Sequence, residues 1–340
     1  MQSTSAIWSD KVYNVAQVGG IETSVLDNGL GKGVRIAWIN TGSGLRFKVV
    51  IDRAMDIADT FFNQYSLTWL NHPGVVAPQP FSQKGTDWLN GFGGGLVTTC
   101  GLSHVGGPEK DEHGDRGLHG MISNIPSEII SIIQPDPARG IFSMSITGVI
   151  KQTQIFGPSL TLKRTISANL GSSTIQLHDE ITNCGNEAAP HMLLYHCNFG
   201  WPLADEGAQI FCNGEATKTC PPINEKHNGP GQDVFFIDSA ANKEGICVCG
   251  IENKKIGLAA VLKFPKKQLP WLTNWQHWSK GEYVTGIEPG THPPIGQTKA
   301  RAEGSLIFLS PGETRCYDVE IDILNNPEAI QNILQQTTLQ

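Results

Sequence analysis

Two segments of the sequence place a titratable side chain in apolar surroundings. His196 follows the apolar residues 192–194 and precedes residues 197–201, whose aromatic, Asn and Gly side chains suit a turn over a ligand. An imidazole titrates near neutral pH and can donate a proton to an oxygen atom. Glu288 follows a Gly-Ile pair and precedes a Pro-Gly turn, which is a poor setting for a solvated surface charge. We therefore expect two strands that end at functional side chains, His196 and Glu288, with a structural salt bridge or a turn as the alternative for Glu288.

A third segment with embedded charges is residues 50–57, which the pattern predicts to be an apolar strand. Arg53 and Asp56 lie within it and could pair with each other. Alternatively, Arg53 could orient Glu288 or donate hydrogen bonds to ligand hydroxyl groups, because its guanidinium is a rigid, planar set of donors.

Residues 87–121 contain three histidines and five acidic residues. The histidines are His104, His113 and His119. These are metal-ligating types, but their spacing matches no common two-histidine motif, so we predict no metal site. Residues 111–115 are expected to form an exposed turn. His119, between Leu and Gly at the edge of an expected strand, either contacts ring hydroxyl groups of a ligand or is a partly buried structural histidine.

The glycine-rich residues 91–95 do not indicate a nucleotide site. A phosphate-binding loop needs its glycines between a strand and a helix. Here the strand-like residues 96–100 follow instead, so a tight corner is predicted.

Composition excludes several classes of partner. The net charge is −7, and no cluster of Lys and Arg suggests a nucleic-acid ligand. No apolar run approaches the roughly 18 residues of a membrane span, and the start of the chain shows no secretory signal. The eight cysteines are irregularly spaced, which favours reduced thiols and a cytoplasmic protein over disulfides.

The elements that must hold these residues are mainly strands. Alternating apolar and polar residues recur, for example at 160–166 and 316–321, with turn residues between the runs. We predict an all-β fold, a large antiparallel β-sandwich, formed as a single domain over residues 1–326. Residues 327–340 are expected to be a short helix or a fraying tail. Long irregular stretches at 71–126 and 270–300 are expected to be functional loops.

Several short motifs resemble the aldose 1-epimerase (galactose mutarotase-like) superfamily, and most closely a branch of it without assigned activity. They are Leu-His-Gly at 118–120, His-Cys-Asn-Phe-Gly at 196–200, Gly-Ile-Glu at 286–288 and Leu-Ser-Pro-Gly-Glu at 309–313. The resemblance covers roughly residues 20–325. It differs from the usual pattern after His196, where the usual sequence is His-x-Tyr-Phe-Asn-Leu, and after Glu288, where Pro-Gly-Thr-His replaces Thr-Gln.

The resemblance implies a metal-free and cofactor-free isomerase that interconverts the anomers of a free or modified aldose. His196 would act as general acid on the ring oxygen and Glu288 as general base on the anomeric hydroxyl, while the substrate-binding residues would be Arg53, His119, Asn198 and His292. The expected partner is a small-molecule carbohydrate, with neither nucleic acid nor membrane. Alternatives are a metal-assisted isomerase or lyase on the same fold, and a sugar-binding protein without catalysis.

Overall fold

The computed structural model describes residues 11–80, 84–212, 215–224 and 233–338. In chain order the strands are β1 (Gly20–Val25), β2 (Arg35–Asn40), β3 (Leu45–Val50), β4 (Asp56–Phe62), β5 (Tyr65–Ser66), β6 (Thr98–Leu102), β7 (Glu109–Asp111), β8 (Gly114–Arg116), β9 (Glu128–Ile133), β10 (Ser143–Thr153), β11 (Ser159–Asn169), β12 (Thr174–Asn183), β13 (Ala189–Gly200), β14 (Gln209–Cys212), β15 (Glu215–Thr219), β16 (Asp233–Asp238), β17 (Ile246–Asn253), β18 (Leu258–Pro265), β19 (Trp271–Ser279), β20 (Glu282–Gly290), β21 (Ile307–Leu309) and β22 (Thr314–Leu324). The helices are α1 (Trp88–Gly91), α2 (Gln297–Ala302) and α3 (Pro327–Thr338), with 3₁₀ turns at Val15–Gln17, Gly29–Gly31, Ile122–Asn124 and Pro137–Arg139.

The strands form antiparallel sheets, which confirms the all-β prediction. A five-stranded sheet takes β1 to β5 in sequence order. A nine-stranded sheet has the order β15-β14-β17-β18-β22-β12-β11-β10-β9, and a six-stranded sheet has the order β16-β19-β20-β13-β21, with β6 also pairing with β13. Strands β7 and β8 form a separate hairpin.

The main core joins the nine-stranded sheet to the six-stranded sheet, as a sandwich requires, and also takes in residues of the five-stranded sheet. It joins residues such as Ile166 and Ile321 of the larger sheet to Tyr195, Phe199 and Ile287 of the smaller one. The predicted large antiparallel sandwich is therefore confirmed. The opposite face of the six-stranded sheet carries a second, smaller apolar cluster that includes residues from α1, α2 and the segments around them.

One of the two expected loops has a different structure. Most of residues 270–300 forms the long hairpin of β19 and β20 rather than an irregular stretch. This prediction was wrong because both faces of the hairpin are covered, so its sequence lacks the alternation that marks a half-exposed strand. Residues 71–126 are mostly irregular, as expected, and contain α1, β6 and the β7–β8 hairpin.

The C-terminal segment forms the helix α3 over the residues described. Its Ile330 is buried against Phe211 and Val248, so the helix packs on the outer side of the nine-stranded sheet. The cysteines are all free thiols, and none is paired. No helix in the described part of the chain is long and apolar enough to cross a membrane.

Candidate active site

The register of the six-stranded sheet places the two predicted catalytic residues opposite each other. Strands β13 and β20 pair Leu194 with Gly290 and Cys197 with Ile287, so His196 lies across from Glu288. The same row continues on either side, because β6 pairs Thr98 with His196 and β19 pairs Thr273 with Glu288.

His196 lies within β13 and not at its end, so that detail of the sequence prediction was wrong. The strand continues to Gly200 because β20 pairs with residues 197–200 on one edge, while residues 67–69 and Gly95 form backbone hydrogen bonds with the other edge. Every residue from 191 to 200 is buried. Residues alternate between the two faces of the sheet. Tyr195, Cys197 and Phe199 enter the main core, which leaves His196 and Asn198 on the opposite face.

Nε2 of His196 lies 3.2 Å from Oε1 of Glu288. The two atoms are close, but the imidazole N–H direction is not aligned with the carboxylate oxygen as in a hydrogen bond. Both side chains are almost fully buried, with 6% of His196 and 2% of Glu288 exposed. A buried acid and a buried base are therefore in direct contact.

Burial opposes charge on both partners. It lowers the pKa of His196 to about 4 and raises the pKa of Glu288 well above its usual value. The site therefore disfavours a positive charge on His196 and a negative charge on Glu288. Such oppositely shifted neighbouring groups are characteristic of acid–base sites.

Aromatic rings surround the imidazole of His196. The ring centroids of Phe92 and Trp275 lie 5.1 and 5.4 Å from that of His196, and those of Trp88 and His119 both lie at 6.1 Å. Trp88 and Phe92 stack on each other at 4.3 Å at the two ends of α1. These flat apolar walls suit the apolar face of a sugar ring.

His119 was predicted to lie at the edge of a strand, but it reaches the site from a turn. Its φ of 57° is left-handed, and its peptide N–H and C=O bond to Gly106 and Gly101, which fixes the turn in place. Its ring packs edge-on against Trp88 at 4.9 Å. Burial first, and then the neighbouring histidines His196 and His104, lower the pKa of His119 to about 3. His119 is therefore a neutral hydrogen-bonding group beside the acid–base pair.

Asn198 lies one position along the same face from His196 and is fully buried. Its amide nitrogen donates to the carbonyl oxygens of Gly95 at 3.0 Å and His196 at 2.9 Å. Its Oδ1 forms no well-aligned hydrogen bond among the described residues, but the Asn198 side chain lies close enough to the His196 ring to partly offset the lowering of the His196 pKa by burial. The amide group thus braces the strand and leaves one acceptor on the site face.

Arg53 lies in the turn between β3 and β4, so the strand expected at 50–57 is interrupted there. Ala54 and Met55 adopt left-handed φ angles, which no strand permits. The guanidinium donates to Asn124 Oδ1 at 3.0 Å and to the Gly91 carbonyl at 3.0 Å. Arg53 also lines a cavity of about 530 Å³ whose lining residues include neither His196 nor Glu288.

The predicted pairing of Arg53 with Asp56 is replaced by a different ion pair. Asp56 accepts from Arg164, at 3.1 Å, and from the Thr99 hydroxyl, at 2.6 Å. Arg164 is fully buried and also forms a bidentate pair with Asp179, which accepts from the Tyr195 hydroxyl as well. This network lies in the core, behind the strand that carries His196.

His292 follows β20 and is held by the protein through both ring nitrogens. Nδ1 lies 2.8 Å from the Thr291 hydroxyl and Nε2 lies 2.8 Å from the Ser305 carbonyl oxygen. The structure therefore does not bring a free nitrogen of His292 to the acid–base pair.

No group of three or more metal-ligating side chains is assembled in the described ranges. The ring nitrogen Nε2 of His104 lies 2.9 Å from the Gly107 carbonyl oxygen, while His113 lies on the exposed tip of the β7–β8 hairpin.

Sequence reasoning missed much of the site wall. Trp88 and Phe92 are four residues apart, a helical spacing that could have revealed them as one aromatic face. Trp275 faces the site because it lies two positions from Thr273 on β19. Many buried polar atoms around the pair have no hydrogen-bond partner among the described residues: Thr68 Oγ1, Trp69 Nε1, His119 Nδ1, His196 Nδ1, Asn198 Oδ1, Thr273 Oγ1, Trp275 Nε1 and Glu288 Oε1.

Solved structures share this fold. A protein of Klebsiella pneumoniae, provisionally named an aldose 1-epimerase, is 24% identical with a TM-score of 0.86 over 96% of this chain and 90% of its own. A galactose mutarotase-like protein from Clostridium acetobutylicum is 12% identical with a TM-score of 0.62, over 91% of this chain and 100% of its own. A galactose 1-epimerase from Lactobacillus acidophilus is 11% identical with a TM-score of 0.57, over 89% of this chain and 98% of its own.

At these identities the similarity establishes the fold, which is that of the galactose mutarotase-like proteins. A search of curated proteins finds no significant match. One family model, described as a domain of unknown function (DUF4432), matches residues 31–323 and so covers most of the sandwich. The chain therefore belongs to the DUF4432 family.

Proposed function

We propose that this protein interconverts the anomers of a free or modified aldose by acid–base ring opening. The observation that carries the proposal is the contact of 3.2 Å between His196 Nε2 and Glu288 Oε1 in a buried, aromatic-walled site. The names of the structural neighbours agree with this proposal.

The reaction needs one base and one acid close together, because the anomeric hydroxyl and the ring oxygen are bonded to the same carbon. The Glu288 carboxylate removes the proton from the anomeric hydroxyl, the bond from C1 to the ring oxygen breaks, and His196 Nε2 protonates that oxygen. The open-chain aldehyde turns about C1–C2 and closes from its other face by the reverse transfers. Each positioned group contributes roughly 10²–10⁴-fold to such a step.

The competent state has a protonated His196 and an ionised Glu288. Burial disfavours that charge separation in the free protein. The close contact between Nε2 and Oε1 allows the proton to cross before the sugar separates the two groups. Hydroxyl groups of the ligand then replace the missing partners of the carboxylate oxygen.

The unpartnered polar atoms around the pair support a hydroxyl-rich ligand. Unsatisfied buried polar groups are costly and uncommon in folded proteins. Trp69 Nε1 and Trp275 Nε1 can only donate, Asn198 Oδ1 can only accept, and the Thr273 hydroxyl can do both. A polyhydroxylated ring supplies acceptors and donors for all of them.

The other predicted residues receive indirect roles in this proposal. His119 contacts the sugar as a neutral donor or acceptor, whereas Arg53 anchors α1 through the Gly91 carbonyl and His292 fixes the chain after β20. We also propose that residues 1–326 act as one domain, with 327–340 as its tail, and that the substrate is a small-molecule carbohydrate of the cytoplasm. The free thiols of the cysteines support the last point.

The test is anomer exchange measured by NMR for a panel of aldoses, with and without a chelator. We expect the wild type to accelerate exchange of at least one sugar and the His196→Ala and Glu288→Gln variants to lose roughly 10²-fold or more. Chelator should have no effect. His113→Ala, at the exposed hairpin tip, is the matched control and should retain the wild-type rate.

No acceleration of any aldose by the wild type would contradict the proposal. Acceleration that survives both substitutions would remove the acid–base assignment, and activity lost to chelator would favour a metal-assisted reaction on the same fold.

A further inference from the structure

The carboxylate of Glu288 lies directly over Gly286. Residues two apart on a strand face the same side of the sheet, so both face the site. A Cβ on Gly286 would first meet Glu288, with Oε1 well inside van der Waals contact, Cδ at 3.1 Å and Cγ at 3.3 Å. The Glu288 side chain therefore bends back along its own strand and occupies the volume that a larger residue at 286 would fill.

The bend of the Glu288 side chain determines which residues flank its carboxylate. In the register of the sheet, Gly286 lies between Asn198 of β13 and Trp275 of β19. The carboxylate therefore lies in a slot with Gly286 as its floor and those two positions at its sides. From this slot Oε1 is 3.2 Å from His196 Nε2.

We propose that Gly286 is a positioning residue, whose lack of a side chain allows Glu288 to bend over β20 and contact His196. The catalytic meaning of this arrangement rests on the proposed function. The geometric requirement itself does not, because it follows from the space over Gly286.

The backbone of β20 does not need a glycine at this position. Gly286 does not adopt a left-handed φ, and the three atoms nearest its added Cβ all belong to the flexible Glu288 side chain. Alanine should therefore fit the strand without loss of stability, since Gly→Ala at a compatible position restricts the unfolded chain. Gly250 is different, because its Cβ would meet the Ala260 backbone of the next strand.

The first test compares three alanine variants in anomer exchange and in urea unfolding. Gly286→Ala should lose roughly 10²-fold or more in turnover, the contribution of one positioned base, with a urea midpoint no lower than the wild type. Gly107→Ala, which has open space around its Cβ, should change neither. Gly250→Ala should lower the midpoint. Wild-type turnover in Gly286→Ala, or a loss that merely follows a lower midpoint, would overturn the inference.

A shorter acid at 288 supplies the second test. In the Glu288→Asp background the carboxylate is one methylene shorter and no longer fills the space over Gly286. Gly286→Ala should then cost less than about threefold in turnover, because the two substitutions act on one contact and are not additive. An equal loss in both backgrounds would show that Gly286 acts through some other group.

The third test works even if no aldose is turned over, which separates this inference from the proposed function. The ring of His196, observed by NMR in histidine-labelled protein, senses the carboxylate beside it. Gly286→Ala should shift the His196 ring signals and its titration as Glu288→Gln does, while Gly107→Ala should leave them unchanged. Unaltered His196 signals in Gly286→Ala would overturn the inference.

Discussion

The Glu288→Gln variant should become more stable than the wild type, and the difference in unfolding free energy should grow as the pH rises. The Glu288 side chain is 2% exposed, and among the described residues its carboxylate lies within ion-pair distance of His196 alone. Burial therefore raises its pKa well above the usual value. Glutamine has nearly the same shape but no charge to bury.

The sign and size of the effect follow from proton linkage. The unfolded chain loses the Glu288 proton near pH 4.3, whereas the folded chain keeps it to higher pH. The stabilising contribution of the protonated group is complete below the unfolded pKa and is lost as the pH rises toward the folded pKa. In that window, the wild type should lose up to about 1.4 kcal/mol of unfolding free energy per pH unit relative to Glu288→Gln.

Buried histidines oppose this trend, but His119 and His191 contribute equally to both proteins and cancel in the comparison. Burial lowers the pKa of His119 to about 3 and those of His191 and His196 to about 4. Their contribution to stability therefore falls as the pH drops from about 6.5 toward these values. His119 and His191 act equally in the wild type and in Glu288→Gln, so the difference between the two proteins reports mainly on Glu288.

The assay is urea unfolding of both proteins from pH 4 to pH 8 at constant ionic strength. The difference in unfolding free energy should be small at pH 4 and grow with pH in favour of Glu288→Gln. Glu180→Gln, at a partly exposed carboxylate on β12, is the control and should show no such growth. A difference that does not change with pH, or a glutamine variant that loses stability as pH rises, would refute the reasoning.

Two further substitutions test the site wall and the ionic network behind it. Trp275→Phe keeps a ring beside His196 but removes the unpartnered indole N–H. If that N–H bonds the sugar, KM should rise about 5- to 10-fold with little change in kcat, the effect of one lost hydrogen bond; an unchanged KM would exclude the contact. Arg164→Met leaves the carboxylates of Asp56 and Asp179 buried without their counter-charge. Urea unfolding should show a loss of about 3–5 kcal/mol, whereas Lys163→Met at the exposed neighbouring pair should cost less than about 1 kcal/mol. Equal losses of unfolding free energy in the two variants would contradict the view that burial makes the Arg164 ion pairs costly to break.

The fold class could be predicted from the sequence because most strands of a sandwich expose one face to solvent, which produces alternating polar and apolar residues. β11 and β22 alternate between buried and more exposed residues, and both were recognised from that pattern. β19 was missed and β13 was ended too early because their residues are covered on both faces. Such strands show no period of two, and only their partners define their ends.

The candidate site was predictable in its residue types but not in its geometry. His196 and Glu288 stood out as titratable groups in apolar segments, and the structure brings them together. Their contact depends on a register between strands that are distant in the sequence. Arg53 was misplaced because a left-handed pair, Ala54 and Met55, interrupts a segment whose residue types favour a strand. Neither residue is a type that marks such a turn.

The register of β13 determines both which of its side chains enter the core and which face the site. A change in one therefore changes the other. A slip of one residue in β13 would turn Tyr195 toward the site face and His196 into the sandwich. The Tyr195 hydroxyl is bonded to Asp179, which Arg164 holds in place from the neighbouring strand. This buried anchor stabilises one register, because any other would leave the Asp179–Arg164 pair without its tyrosine and bury an imidazole in an apolar core. The ionic network thus specifies the alignment that places His196 opposite Glu288, although it touches neither side chain.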